Sequence, residues 1–208
     1  LLGDTQKRVE EDPVRLLRAL RFKAKLQFDF DNALNQQFNA QNWALLAQVS
    51  PHRLYDETQK MFTGGYLVPM LPLLFEYGAF SQLFYDPPTT VTPLLNQVTI
   101  NTDRRIGSGK SINPAFFYAT ILWESYLYLL DKFKKNTPFS DAQNQAANKV
   151  LDKQRQHTAM PKFAEQFIKD IWLMQPRLAQ PRKKNLQKLF ENPRFRAAYD
   201  FLMMREQV

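Results

Sequence analysis

Acidic side chains are followed closely by basic ones in one short segment near the N-terminus. Glu11 and Asp12 precede Pro13, and Arg15 and Arg18 follow at helical spacing. A carboxylate can accept a hydrogen bond from the exocyclic amine of adenine while a guanidinium donates to the neighbouring ring nitrogen. The segment is therefore a candidate for reading a nucleotide base. The alternative is a capped helix start with a surface ion pair, since Glu11 and Arg15 stand four residues apart.

A second group of candidate residues is basic and lies near the C-terminus. Residues 149–208 carry 13 basic and 6 acidic side chains, whereas residues 1–148 carry 15 and 14. Such a local excess indicates an anionic partner, with nucleic acid as the first candidate, or else a solvated helical surface without a partner. The candidates for RNA binding are Arg182, Lys183, Lys184, Lys188, Arg194 and Arg196.

Aromatic residues are interleaved with these basic ones. Phe190, Phe195 and Tyr199 could stack on the bases of a single strand while the basic residues follow its phosphates. Their helical spacing favours the other interpretation, in which all three pack in the core. We therefore expect only the basic face to contact RNA.

Composition argues against several other kinds of chemistry. The chain has no cysteine, which excludes disulfides, thiolate zinc sites and a cysteine nucleophile, and which fits a cytoplasmic location. Its two histidines, His52 and His157, have no partner at ligand spacing. Asp29 and Asp31 are predicted to form a loop and a helix cap rather than a metal site. We accordingly expect no metal site in this chain, and no membrane span, because no run of about 18 apolar residues occurs.

The elements that position these residues are predicted to be helices. Glycine is scarce, with 6 residues, and most of the 13 prolines lie between the periodic runs. The fold class is therefore all-α. Predicted helices begin at Asp12-Pro13, cover about 31–48, run from Ser50-Pro51 to Gly64-Gly65, cover about 93–103, begin again at Pro114 in the most apolar segment, and cover about 139–158, 161–176, 182–190 and 193–206.

Several segments resemble the helical region of bacterial poly(A) polymerases, class II nucleotidyltransferases related to the tRNA CCA-adding enzymes. The resemblance is carried by GDTQKRVEEDPVRLLRALRFKAKL, SPHRLYDETQKMFTGG, FEYGAFSQLF, INPAFFYATILW, MPKFAEQFIKDIW and NPRFRAAYDFLMMR, and so covers nearly the whole chain. The first motif is common to both kinds of enzyme, whereas NPAFFYATILW and NPRFRAAYDFL are more similar to the polyadenylating branch. The resemblance implies a neck over residues 1–65, body helices over 66–148 and basic, RNA-binding leg helices over 149–208.

The resemblance also implies roles for individual residues. Glu11, Asp12 and Arg15 match the motif that selects the base of the incoming nucleotide, Arg18 supports that site, and Arg53 matches a neck arginine near the nucleotide pocket. The implied reaction transfers AMP from ATP to an RNA 3′ hydroxyl, with magnesium bound by a catalytic head domain that would precede Leu1. The 208 residues alone are then expected to hold no cofactor and to be inactive. Two alternatives remain: the body of a CCA-adding enzyme, and a noncatalytic helical module that binds RNA or protein.

Overall fold

A computed structural model describes residues 3–208. All regular secondary structure in these residues is helical, and no β-strand occurs among them, which confirms the all-α prediction. Over the same residues, no helix combines the length and apolar character that crossing a membrane requires. The expectation that a further domain precedes Leu1 lies outside the described residues.

Two groups of helices follow each other along the chain. The first comprises α1 (Thr5–Glu11), α2 (Val14–Leu26), α3 (Asn32–Asn35), α4 (Ala40–Ala44), a 3-10 turn (Leu45–Gln48), α5 (Pro51–Thr63), α6 (Leu67–Glu76) and α7 (Phe80–Leu83). The second comprises α8 (Pro93–Gly107), α9 (Pro114–Ile121), α10 (Trp123–Phe133), α11 (Phe139–Gln154), α12 (Lys162–Ala179), a 3-10 turn (Lys183–Asn185), α13 (Leu186–Glu191) and α14 (Phe195–Glu206).

Asp12 lies at a junction between two helices rather than at the start of the first one. Its N–H donates to the carbonyl of Arg8 at the end of α1, and its own carbonyl accepts from the N–H of Arg15 in α2. The sequence predicted the second of these helices to within two residues and missed the first. α1 begins after Asp4, whose side chain accepts a hydrogen bond from the N–H of Lys7.

The prediction of one helix over about 31–48 is wrong. The segment forms two short helices instead, because two polar side chains each cap the start of a new helix. Asp31 caps α3 by accepting a hydrogen bond from the N–H of Leu34, and Asn39 caps α4 by accepting one from the N–H of Asn42. Such side chains compete with a continuous helix for backbone N–H groups. The cap expected at Asp31 is thereby confirmed, as is the cap at Ser50, which accepts from the N–H of His52.

Other predicted helix limits also need correction. The apolar segment from Pro114 forms two helices, because the backbone at Leu122, with φ −89° and ψ 0°, interrupts it. The first, α9, is largely buried, whereas α10 exposes one side, which includes Glu124 and Tyr128. α8 continues beyond 103 to Gly107, and α11 ends at Gln154 rather than at 158. α12 runs three residues past Pro176, and both C-terminal helices begin later than expected.

A buried polar network joins helices from both groups. The hydroxyl of Tyr118 lies 2.8 Å from the hydroxyl of Thr58 and 2.9 Å from that of Thr158. Gln154, which is fully buried, donates to the hydroxyl of Thr158 and to the carbonyl of Leu83. Burial raises the pKa of Tyr118, so its hydroxyl stays protonated and can form hydrogen bonds with both Thr58 and Thr158. The network holds α5, α9 and the end of α11 together, and the buried polar groups within it are hydrogen-bonded to one another.

The C-terminal segment is anchored mainly through α14. Phe201 is fully buried, and Arg205 donates to the side-chain oxygen of Gln175 in α12 at 2.7 Å. The guanidinium of Arg205 also lies 4.6 Å from the ring centre of Trp123. By contrast, Leu189 is the one buried residue that α13 contributes. Residues 180–194 therefore lie on the surface between two firmly packed helices.

Candidate nucleotide-binding and RNA-binding sites

The carboxylate of Asp12 forms an ion pair with an arginine from the start of α5. Nη2 of Arg53 lies 2.8 Å from Oδ2 of Asp12, and Nη1 of Arg18 lies 3.9 Å from the same oxygen. The cap at Ser50 and the proline at position 51 begin α5 just before Arg53, which places this side chain in the first turn. Burial alone would raise the pKa of Asp12, but the hydrogen bond and charge of Arg53 hold it below its usual value. Asp12 is thus ionised at neutral pH.

The other oxygen of this carboxylate is an unused acceptor. The N–H of Val14 lies near the carboxylate and also lowers its pKa, yet Oδ1 of Asp12 is buried and has no partner with hydrogen-bond geometry among the described residues. A buried charged oxygen without a donor is unfavourable by about 1–3 kcal/mol or more. Oδ1 of Asp12 is therefore a candidate acceptor, and an outside donor can reach it only if the neighbouring side chains move to expose it.

Glu57 is one of two site residues that the sequence prediction missed, the other being its partner Arg21. Glu57 is 2% exposed, lies one helical turn after Arg53, and its two oxygens are 3.0 Å from Nε of Arg21 and 3.7 Å from Nε of Arg18. Arg18 thereby bridges Glu57 and Asp12. We call the five residues Asp12, Arg18, Arg21, Arg53 and Glu57 the neck cluster. A signal existed in the sequence, since Glu57 falls beside Leu54, Thr58 and Met61 on the apolar face of its helix, where a carboxylate needs a partner.

Glu11 and Arg15 form a separate pair on the surface. Oε2 of Glu11 lies 3.8 Å from Nη1 of Arg15, and the same nitrogen donates to the carbonyl of Arg8 at 2.6 Å. The structure thus brings Asp12, Arg18 and Arg53 together, three of the residues that the sequence assigned to the nucleotide site. It does not place the guanidinium of Arg15 against the carboxylate of Asp12. In the described chain, no group of three or more His, Asp or Glu residues is placed to hold a metal ion.

The six basic candidates near the C-terminus differ in their surroundings. Arg182, Lys183, Lys184 and Lys188 are exposed, and none of them pairs with an acidic side chain among the described residues. Arg196 is also exposed but lies 3.3 Å from Asp200, one turn along the same helix. Arg194 has a structural contact, because its guanidinium lies 3.7 Å from Asp170 and 5.1 Å from the ring centre of Phe167 in α12.

The expectation that the interleaved aromatic residues pack in the core is wrong for Phe190 and Tyr199, whereas Phe195 packs against the core. Phe190 is 62% exposed, Tyr199 is 42% exposed, and Phe195 between them is only partly buried. Phe190 is exposed because α13 is a single short helix in which Leu189 is the one buried residue, and Tyr199 lies on the exposed side of α14. The ring centres of Phe190 and Phe195 are 5.1 Å apart, and those of Phe195 and Tyr199 are 5.8 Å apart. These three rings form an aromatic row beside the exposed lysines.

Comparison with known proteins identifies similar sequences over the whole chain. A family model described as "Polymerase A arginine-rich C-terminus" matches residues 135–208, and one described as "Probable RNA and SrmB-binding site of polymerase A" matches residues 29–90. Poly(A) polymerase I of Escherichia coli O6:H1 is 36% identical over 218 aligned residues, which cover 100% of this chain and 47% of that protein. The corresponding protein of Haemophilus influenzae is 33% identical over 218 residues, 100% of this chain and 48% of its own length.

The similarity to CCA-adding enzymes is more limited. The CCA-adding enzyme of Geobacillus stearothermophilus is 38% identical over 77 residues, which cover 37% of this chain and 19% of the enzyme. The chain spans about half the length of the poly(A) polymerases that it matches throughout. The family model that names RNA covers Arg53 and Glu57, whereas the basic candidates at 182–196 fall within the arginine-rich match.

Proposed function

Because the chain belongs to the bacterial poly(A) polymerase family, we propose that it serves the transfer of AMP from ATP to RNA 3′ ends. The observation that carries this proposal is the match to poly(A) polymerase I, which extends over all of the chain, whereas the match to a CCA-adding enzyme covers 37%. Such a transfer uses metal ions to activate the hydroxyl and to stabilise the leaving pyrophosphate. We assign that step, with magnesium, to a catalytic domain other than these 208 residues.

The neck cluster is our candidate for recognition of the ATP base. Oδ1 of Asp12 is a charged acceptor without a partner among the described residues, and the exocyclic amine of adenine is a donor that suits it. Arg53 and Arg18 hold the carboxylate in its ionised form and in a fixed position. We assign Arg15, in the first turn of α2, as the donor to the ring nitrogen next to that amine. Its guanidinium would exchange its hydrogen bond to the carbonyl of Arg8 for one to the base.

The exposed basic residues of the C-terminal helices are our candidates for contact with the RNA backbone. Lys183, Lys184 and Lys188 can neutralise phosphates at little cost because no acidic side chain of the described chain competes for them. The aromatic row lies next to them and offers flat surfaces on which unpaired bases can stack. This arrangement favours single-stranded RNA over a duplex, whose bases are already stacked.

The salt dependence of RNA affinity tests the proposed RNA surface. Each phosphate contact on a single strand contributes about 0.7 to the slope of log K against log salt. The double variant Lys184→Ala/Lys188→Ala should therefore lower the slope by about 1.4, measured by fluorescence anisotropy with a labelled oligo(A). The matched control is Lys132→Ala/Lys135→Ala, which removes two exposed lysines next to α10. Equal slopes for both double variants would overturn the assignment.

Two incorporation assays test the proposed reaction. The 208-residue chain, incubated with magnesium, RNA and labelled ATP, should give no incorporation, and metal-dependent incorporation by a pure sample would contradict the assignment of the chemistry to another domain. In a full-length enzyme that contains this chain, Asp12→Asn should reduce the preference for ATP over CTP and GTP. An unchanged preference would remove Asp12 from base selection.

A second candidate function is the addition of CCA to tRNA. It is favoured by the 38% identity over 82 residues with the CCA-adding enzyme of a Geobacillus strain. A full-length enzyme that contains the chain, given tRNA lacking its 3′ end, discriminates the two. Incorporation of both CTP and ATP in a short defined product supports CCA addition, and extended incorporation of ATP alone supports polyadenylation.

A further inference from the structure

A cleft separates the beginning of α11 from the end of α12. It has a volume of about 540 Å³ and is bordered on one side by the segment that leads into the second 3-10 turn. Its volume falls within the range of pockets that bind small ligands, about 300–1,000 Å³. The cleft lies outside the neck cluster, and of the predicted RNA-binding residues only Arg182 contributes to it.

The charge that lines the cleft is positive. Arg177 projects from the last turns of α12 and Arg182 follows that helix, and both are exposed. Neither guanidinium has an ion pair or a hydrogen bond with another described residue, and no acidic side chain lines the cleft. Two unpaired guanidinium groups at one opening are suited to a phosphate, which accepts their N–H groups in pairs.

The remaining lining offers an aromatic surface and unused amides. Phe139 is 47% exposed at the first residue of α11 and has no aromatic neighbour among the described rings. Leu173 adds apolar surface nearby. The side-chain amides of Gln180 and Asn185 form no hydrogen bond with described residues and can donate to or accept from a base edge. The flat ring and the polar edge groups suit the base of a nucleotide, and the paired cations suit its phosphate.

We propose that this cleft binds one unstacked nucleotide of single-stranded RNA, with its base against Phe139 and its phosphate between Arg177 and Arg182. The proposal rests on the RNA-binding role proposed for the C-terminal helices. Arg182 directly precedes Lys183 and Lys184, so the strand that leaves the cleft continues along the proposed phosphate contacts. The cleft thereby fixes one nucleotide of the bound strand, because it contacts the base as well as the phosphate.

The test compares two RNA probes on the 208-residue chain and its variants. One probe is a fluorescein-labelled oligo(A) 12-mer, and the other is a ribose-phosphate strand of equal length without bases. Phe139→Ala should weaken oligo(A) about 10-fold, since stacking contributes about 1–3 kcal/mol per base, and leave the abasic strand unchanged. Arg177→Ala should weaken both probes and lower the salt slope by about 0.7.

Matched controls separate the cleft from the rest of the surface. Phe163 is 70% exposed at the other end of α12, roughly 20 Å from Arg177 at 1.5 Å per residue, so Phe163→Ala should leave affinity for oligo(A) unchanged. Arg104→Ala is the control for Arg177, because Arg104 is an exposed arginine on α8. Both changed side chains of the cleft are exposed, so all variants should unfold at the temperature of the parent chain.

The outcomes distinguish this proposal from the one on which it rests. An equal loss for Phe139→Ala on both probes, or an equal loss for Phe163→Ala, overturns the stacked nucleotide. Tight binding of oligo(A) that is insensitive to Phe139 and Arg177 overturns the cleft but leaves the RNA-binding role intact. Absence of any oligo(A) binding by the unchanged chain overturns both.

Discussion

Replacing Glu57 should destabilise the fold more than any other change in the neck cluster. Its carboxylate is 3% exposed and lies 3.0 Å from Nε of Arg21, whose side chain is 15% exposed. Removing one partner of a buried pair costs about 3–5 kcal/mol, because the other charge stays buried. The second partner, Arg18, is 38% exposed and can be hydrated. We therefore expect Glu57→Ala to lower the free energy of unfolding by about 3 kcal/mol, at the lower end of that range.

A conservative variant separates the charge from the hydrogen bond. Glu57→Gln keeps an oxygen that can accept from Nε of Arg21 and removes the negative charge. A hydrogen bond to a charged group contributes about 1.5–3 kcal/mol and a neutral one about 1 kcal/mol. The expected loss for Glu57→Gln is therefore about 0.5–2 kcal/mol, smaller than that for Glu57→Ala.

Urea unfolding followed by circular dichroism at neutral pH measures both losses. For a chain of this size, 1 kcal/mol corresponds to about 2–4 °C in Tm, so Glu57→Ala should melt about 6–12 °C lower. The control is Glu11→Ala, because Glu11 is 51% exposed and 3.8 Å from Arg15, and such surface pairs contribute about 0–1 kcal/mol. A loss for Glu57→Ala no larger than that for Glu11→Ala would refute the reasoning.

Three further predictions concern the pH response, the buried network and one turn. Because the pKa of Asp12 is held below its usual value, its charge stabilises the fold above about pH 4, and that contribution is lost as the pH falls through the lowered pKa. The free energy of unfolding of Asp12→Asn should thus lie below that of the parent chain at neutral pH and approach it below about pH 4; a constant difference would contradict this. Tyr118→Phe should cost about 1–3 kcal/mol in urea unfolding, since it leaves the hydroxyls of Thr58 and Thr158 without their shared partner, whereas Tyr128→Phe, at a 70% exposed position, should change little. Gly65→Ala should destabilise more than Gly109→Ala, because both have positive φ but only a Cβ at position 65 would meet Ile106, at 3.1 Å; equal melting temperatures for the two variants would exclude that contact as a cause.

Local features of the fold could be predicted from the sequence because their causes lie within a few residues. Asp31 and Ser50 were expected to cap helices, and each accepts a hydrogen bond from an N–H two or three residues later. The end of α5 at Gly64 was also expected, because a pair of glycines is a local signal for the end of a helix. The prediction failed over 31–48, where the apolar pattern of a helix was present but Asn39 supplied a competing cap.

Features that depend on distant partners could not be predicted. The spacing of Phe190 and Tyr199 gives the helix face on which each lies, but only packing decides whether another helix covers that face. Glu57 meets Arg21, which stands 36 residues earlier, and no local pattern specifies such a pair. The structure pairs Asp12 with Arg53, which the sequence grouped through the family resemblance rather than through spacing, and their role in binding a nucleotide stays a prediction.

The shallow packing of α13 has a consequence for how the surface responds to its ligand. A helix in which Leu189 is the one buried residue can open locally while α12 and α14 stay packed, so its amide hydrogens should exchange with solvent sooner than those of its neighbours. A ligand that binds only the closed form slows that exchange in proportion to its concentration. The exchange rate of these six residues would therefore report occupancy of the adjoining surface, even where the rest of the protein gives no signal.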